Sequence, residues 1–495
     1  MRPARRAALG AVLLLAGAAA ACGRSGPPPK APMTALWIGS ESAPLANSGL
    51  AGLESAGVHE LFYEAAALDW SSGSPRLVER FGAPLPRATA STLVVRGPWR
   101  RPVERPRAIA GAWRRELESL ELAAERRRAT PIGIHFALDT TDALDELAKT
   151  IRALRGELGA RFHLSAELDP SQLADEGAES LARATDYLVV FVYGQPPNEP
   201  EEDSKWDLDA ARATIAALDR LGRPYTLGAW TLGAAQRRSA TGEIVGSAAD
   251  LAVGALLREP RLEPMPGAVF GGLGRQAIER VARHPARFGD WILAQGESIR
   301  VVRPTTAHLE RFLAVAAPRP GSPRLGAVLR RLRAPGETLA LSADNLAAAL
   351  APGEAAPAFA VQLERLPGGH GTSRFRLTLA NGNDEPTDYG AVESNYVELR
   401  LPRGVLADVD AGGFDGWEQL WHGSERRTLK ALREADTLRL YAAYVDGGER
   451  IASGPVAVRG AGELERVTIS GTFILPGGRE LALAPREVAI EGAEP

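Results

Sequence analysis

A (β/α)8 barrel followed by an all-β sandwich is the α/β architecture this sequence predicts, and three observations predict it. Between Met33 and about His284, eight short β-branched or aromatic runs alternate with longer amphipathic stretches, the signature of βα units. Eight parallel strands in roughly 250 residues suit a closed, TIM-like barrel. Beyond about Thr338 the texture changes to short alternating runs separated by turns, the pattern of an antiparallel sandwich. The composition is globular, with 45% hydrophobic and 24% charged residues. The formal charge of −3, from 58 Lys+Arg against 61 Asp+Glu, excludes a broad cationic nucleic-acid surface and an acidic tail.

Taken in order, residues 1–22 read as an export signal. Arg2, Arg5 and Arg6 form a positive start, and residues 7–21 are apolar, too short a run to span a bilayer. Ala19, Ala20 and Ala21 precede Cys22, the only cysteine. One cysteine excludes an intrachain disulfide, a thiolate zinc cluster and a CxxC pair. The arrangement resembles a bacterial lipoprotein signal, which implies lipidation at Cys22. Gly23 after the cysteine then implies a cell-envelope address at the outer membrane, facing the periplasm or the surface. Residues 23–33, with Pro27-Pro28-Pro29, read as a stiff spacer.

The barrel is expected over residues 34–298, with strands at 34–39, 58–64, 91–96, 132–139, 162–167, 187–193, 224–230 and 268–271. Helices are clearest after the third, fourth and sixth strands. Their stripes are Ile109, Trp113, Leu117 and Leu120, then Leu144, Leu147, Ile151 and Leu154, then Leu208, Ala211, Ile215 and Leu218, all at a period near 3.6. A doubly wound sheet is the alternative, but no Gly-rich phosphate turn follows the first strand. Gly271 to Gly274 would form a turn before a helix starting near Arg275. A Pro/Gly/Arg-rich connection occupies 299–336, and the sandwich 337–495, with strands at 358–363, 374–379, 396–401, 437–444, 466–475 and 480–483.

Strand parity locates the site. On the fourth strand Ile134, Phe136 and Leu138 share one face, and His135, Ala137 and Asp139 the other. On the fifth, Phe162, Leu164 and Ala166 oppose His163, Ser165 and Glu167. The apolar set is expected under the helices and the polar set inside the barrel. C-terminal strand ends carry the active sites of such barrels. Here they offer Glu64, Arg96, Asp139, Glu167, Tyr193 and Trp230. Carboxylates, a guanidinium and aromatic faces around one mouth suit a sugar, and paired carboxylates divide the acid and base roles of glycoside hydrolysis. Coupling between Asp139 and Glu167 on neighbouring strands would raise one pKa and make a proton donor. Each residue also has a structural role open to it. Asp139 would help cap the following helix, Glu167 and Glu64 would pair with Arg96, and Tyr193 and Trp230 would equally be wall packing. His135 and His163 are inward-facing core histidines in preference to metal ligands. No HExxH, GxSxG or Walker loop occurs, so neither metal nor cofactor is expected.

The runs Leu93-Val94-Val95-Arg96-Gly97, Gly133-Ile134-His135-Phe136-Ala137-Leu138-Asp139, Phe162-His163-Leu164-Ser165-Ala166-Glu167-Leu168 and Asp186-Tyr187-Leu188-Val189-Val190-Phe191-Val192-Tyr193 resemble a bacterial family known as domain of unknown function 3142. That family is similar to glycoside-hydrolase barrels, distantly to chitinase-like ones, and the resemblance covers about residues 34–290. It implies substrate-positioning roles for Arg96 and Tyr193. The family's fourth strand tends to end in Asp-x-Asp; here Ala137 holds the first position and only Asp139 remains. Chitinase-like enzymes place their acid, a Glu, where Asp139 stands. The leading expectation is therefore a glycoside-hydrolase-like enzyme acting on an extracytoplasmic glycan. Asp139 and Glu167 would be its acid/base pair, with Glu64 as alternate, and Arg96, Tyr193 and Trp230 would position substrate. The competing expectation, favoured by Ala137, is a non-catalytic barrel that binds glycan or a protein partner.

Overall fold

A computed structural model describes residues 33–42, 45–99, 105–139, 143–194, 203–265, 275–351, 359–369, 371–389, 392–421, 428–429 and 434–492. Cys22, the export signal and the expected strand at 268–271 lie outside them. The chain divides into two compact units. The first is Met1–Gln195, Glu201–Thr231 and Arg311–Pro335; the second is Pro196–Pro200, Leu232–Glu310 and Gly336–Pro495.

The first unit is a closed barrel of eight parallel strands. Strand β1 (Met33–Ile38) is followed by β2 (Glu60–Asp69), which carries the antiparallel addition β3 (Arg76–Glu79). The ring continues through β4 (Thr89–Pro98), β5 (Ala129–Asp139), β6 (His163–Glu167), β7 (Tyr187–Tyr193) and β8 (Tyr225–Trp230). Between β2 and β4 the β2–β3 hairpin takes the place of a helix among the described residues. Helix α1 (Asn47–Ser55) follows β1, and α2 (Pro106–Arg126) joins β4 to β5. Then α3 (Leu144–Leu158), α4 (Glu176–Ala184) and α5 (Leu208–Leu221) follow β5, β6 and β7. Proline opens α2, where a missing N–H costs nothing. Asp207 caps α5 by accepting from Asp209 N at 2.8 Å, and Gly222, left-handed at φ +62°, ends it.

The eighth strand corrects the expected boundaries. After β8 the chain leaves the barrel and builds a separate five-stranded antiparallel sheet from β9 (Ala234–Arg238), β10 (Ile244–Ala248), β11 (Leu262–Pro264), β12 (Arg275–Ala282) and, after the hairpin β13 (Ala286–Phe288) and β14 (Trp291–Leu293), β15 (Ser298–Pro304). The short helix α6 (Val253–Arg258) lies within this insertion, and α7 (Thr306–Ala316) follows it. The helix expected from Arg275 is therefore strand β12. The barrel closes only at β16 (Arg324–Arg330), inside the stretch expected to be a connection, and β16 pairs in parallel with both β8 and β1. Gly326 permits that closure. Its φ is +146°, and a Cβ there would stand 1.9 Å from the Met33 carbonyl oxygen.

The parity expectation holds for β5. Phe136 stacks on Trp113 of α2, with ring centroids 5.6 Å apart and planes at 18°, so the apolar set lies under the helices. His135 points inward, its ring 5.1 Å from Phe62 and 5.6 Å from Trp37. Met33, Ala35, Trp37, Phe62, Val94, Tyr187, Val189 and Val328 form the apolar part of the interior.

The second unit contains that five-stranded sheet and an all-β sandwich. Among the described residues, eleven strands from Phe359 to Glu491 form two sheets joined through the long strand Arg479–Glu491, which pairs in parallel with Phe359–Leu366 and antiparallel with Arg466–Leu475. Alternation drives their packing. Phe375, Leu377 and Leu379 of one sheet and Val397, Leu399 and Phe473 of the other share one buried core, and Phe359 stacks on Phe473 at 4.0 Å.

Candidate functional site

At the C-terminal end of the barrel, strand register lines up Trp37 of β1, Arg330 of β16 and Trp230 of β8 as direct neighbours. The Arg330 guanidinium lies between the two indoles, 4.2 Å from the Trp37 ring and 4.4 Å from Trp230, with Phe191 at 5.1 Å. A partly desolvated cation over aromatic faces is held by the ring quadrupoles. Arg330 Nη1 donates to both Glu167 oxygens, at 3.1 and 3.0 Å. The Arg330 side chain is only 7% exposed, that of Glu167 27%. Burial by itself would raise the Glu167 carboxyl. Arg330, together with His135 and Arg96, outweighs it and holds the group below the usual carboxylate range.

Glu64 is an acceptor for three donors: the Trp37 indole at 2.9 Å, the Ser40 backbone N–H at 3.2 Å and Arg96 Nη1 at 2.8 Å. It is 6% exposed. The expected Arg96 pairing thus goes to Glu64, while Glu167 takes Arg330. The Arg96 side chain keeps 46% exposure at the rim.

Asp139 is exposed at the last position of β5, opposite Pro98 of β4. The β5–β6 register pairs His135 with Ser165 and Phe136 with Ala166, so Ala137 and Glu167 are the next positions on the two strands. Asp139 therefore stands two residues farther out, roughly 6–7 Å along the strand. Among the described residues its side chain makes no ion pair or hydrogen bond, and α3 starts only at Leu144, after Ala143. The coupling expected to raise one of the pair is reversed at Glu167, because a guanidinium and not a carboxylate is its nearest charge.

Tyr193 needs the clearest correction. A register shift between Phe191 and Tyr193 breaks the alternation of β7. Tyr193 turns away to stack on Phe312 of α7, at 5.9 Å and 12°, and to meet Trp206 at 6.3 Å. At 1% exposure it is wall packing. Phe191 takes the inward place, 5.5 Å from Trp230 and 6.2 Å from Trp37. Gly228 makes room for it, since a Cβ there would lie 2.4 Å from the Phe191 ring. Trp230 stands at the mouth as expected and, like Phe191, remains partly exposed.

Sequence reasoning missed Trp37, Phe191 and Arg330. The alternation Met33, Ala35, Trp37 carried a signal for the first. The inward series Tyr187, Val189, Phe191 carried one for the second. Arg330 had none while its strand was taken for a connection. His135 and His163 are core histidines on different rungs, bonded to Ser165 and to Thr92 respectively. Among the described residues no three His, Cys, Asp or Glu side chains converge as metal ligands.

No protein-family model matches the chain, and no curated protein matches it. Solved structures that are similar include a chitinase from Chromobacterium violaceum, at 15% identity and TM-score 0.40 over 66% of this chain and 99% of that one. The spore cortex-lytic enzyme SleL of Bacillus cereus is similar at 12% identity and TM-score 0.42, over 64% of this chain and 73% of that one. A plant class V chitinase mutant from Cycas revoluta, in complex with (GlcNAc)3, is similar at 14% identity and TM-score 0.37, over 64% and 97%. Any function for this chain therefore rests on its own residues, in a closed eight-stranded parallel barrel whose mouth is built around Arg330 and Glu167.

Proposed function

We propose that the barrel mouth is a carbohydrate-binding site without a hydrolytic acid/base pair, carried by an exported, lipid-anchored protein of the cell envelope. The Arg330–Glu167 pair carries this reading. Glycoside hydrolysis by two carboxylates needs one of them protonated at working pH. Glu167 is held ionised by Arg330, and Glu64 already accepts three hydrogen bonds. Asp139 is exposed at the end of β5, and among the described residues its side chain makes no ion pair or hydrogen bond. The exposed parts of Trp230 and Phe191 offer faces for a pyranose, while Arg96 and Asp139 at the rim offer groups for hydroxyls.

Affinity electrophoresis of the protein on a panel of cell-wall and storage polysaccharides, with a parallel reducing-end assay, tests the proposal. Retardation by at least one glycan without release of reducing ends is expected. Trp230→Ala weakens that affinity by about tenfold, on the order of 1.4 kcal/mol. Turnover that Asp139→Asn abolishes would replace this reading with the hydrolytic one. No retention on any glycan would remove both.

The anchoring part is supported by Arg2, Arg5, Arg6, the apolar run and the lone Cys22. Incorporation of labelled palmitate, lost in Cys22→Ala with release from the membrane fraction, is the expected result. Unchanged labelling in that variant would overturn it. Membership of the domain of unknown function 3142 family belongs to the same proposal and is supported by the four quoted runs, which fall on β4, β5, β6 and β7.

A further inference from the structure

Inside the barrel, below the mouth, polar side chains occupy successive rungs. On the lower rung Thr92 of β4 and His163 of β6 flank Gly133 of β5. Glycine is needed there, because a Cβ at 133 would stand 1.9 Å from His163 Nε2. That nitrogen lies 2.8 Å from Thr92 Oγ1 and 3.3 Å from Glu60 Oε1, and the Thr92 hydroxyl donates to the same Glu60 oxygen. On the middle rung His135, Ser165 and Tyr187 are neighbours across β5, β6 and β7. His135 Nδ1 lies 3.0 Å from Ser165 Oγ. On the upper rung Glu167 stands with one oxygen 4.0 Å from His135 Nε2.

Among the described residues, two buried atoms in this shaft make no hydrogen bond of normal geometry: Tyr187 Oη and His135 Nε2. Both residues are fully buried. Buried polar groups of folded proteins are nearly always bonded, to protein or to ordered water, and an unsatisfied one is expensive. The Tyr187 ring packs against His163 with centroids 5.6 Å apart. The groups acting on its hydroxyl are Glu60 and Asp186 among the charges, and Ser165 and Thr92 among the hydroxyls. Ser165 belongs to the middle rung and Thr92 to the lower one. A water between them would have Tyr187, Ser165 and Thr92 as partners, within the two to four that buried waters need.

We propose that the barrel interior binds an ordered water at Tyr187 Oη that joins the Glu60–Thr92–His163 cluster at the base to the Ser165–His135–Glu167 file below the mouth. The water then links the lower cluster by hydrogen bonds to Ser165 and His135, and Glu167, with one oxygen 4.0 Å from His135 Nε2, and Arg330 stand above them. The charged groups acting on His135 from the surrounding strands are Glu60 of β2, Glu167 of β6 and Arg330 of β16. Trp37 and Phe62 close its remaining sides. This inference is independent of what the mouth binds.

A crystal structure at high resolution tests it without a variant. A solvent peak within hydrogen-bonding distance of Tyr187 Oη and of Thr92 or Ser165 is expected. The Tyr187 hydroxyl bonded directly to Ser165 or Thr92, with no solvent between, overturns the proposal. Tyr187→Phe supplies a second, charge-neutral measurement. It removes one link, so the urea midpoint falls and the ring-nitrogen chemical shifts of His135 move, because Ser165 loses a fixed partner. A hydroxyl with no partner at all would make the variant equally or more stable and leave His135 unmoved.

Discussion

Arg330 decides the chemistry of the mouth more than any carboxylate does. It pairs with Glu167, keeps that carboxylate ionised and fills the space between two indoles. Removing one member of a buried pair leaves the other charge uncompensated. Arg330→Met is therefore expected to lower unfolding free energy by about 3–5 kcal/mol in urea. The double variant Arg330→Met/Glu167→Gln recovers part of that loss, with a coupling energy of about 1–3 kcal/mol in a double-mutant cycle. Strictly additive losses would contradict the pairing. The pH dependence follows from the same contact. Glu167 has a depressed folded pKa, so its contribution is complete above the unfolded value of about 4.3 and disappears as pH falls through the folded one. Stability curves from neutral pH downward should show this acid limb, and Glu167→Gln should flatten it. Carboxylates at strand ends were legible in the sequence as a pattern of residue types. Which cation would meet which carboxylate was not, because Arg96 and Arg330 are far apart along the chain and both reach the same rim.

Among the register shifts of the barrel strands, those in β7 and β16 shape the site. In β7 the register shift after Phe191 exchanges the roles of two aromatics, sending Tyr193 into the wall and leaving Phe191 at the mouth. A period-2 reading cannot see a bulge, because the extra residue leaves no mark in composition. In β16 the irregularity beside Gly326 lets the last strand settle against β1. Gly326→Ala combines a disfavoured φ with a clash on the Met33 carbonyl. It is expected to cost roughly 2–4 kcal/mol of stability. Gly222→Ala, at positive φ but in open space, should cost only about 1 kcal/mol. Chemical denaturation of the two variants side by side checks the contrast, and equal effects would mean that strain alone matters at Gly326.

For the whole molecule, the ring is completed by residues distant in sequence. A fragment of residues 34–298 contains seven barrel strands and lacks β16, so β1 and β8 would expose unpaired edges. Such a fragment should lose its near-UV circular dichroism and bind a hydrophobic dye, whereas the whole chain melts cooperatively. A sharp near-UV melt of the fragment would show that closure is dispensable. Periodicity alone determined seven of the eight barrel strands, the three best helices, the inward face of β5 and the sandwich. These are local properties: side-chain alternation and helical stripes depend on neighbours a few residues away. Tertiary structure alone decided the eighth strand, the partner of each carboxylate and the aromatic that faces the mouth. Those depend on pairings across the ring, where β16 arrives after a long insertion and brings the guanidinium that keeps Glu167 charged.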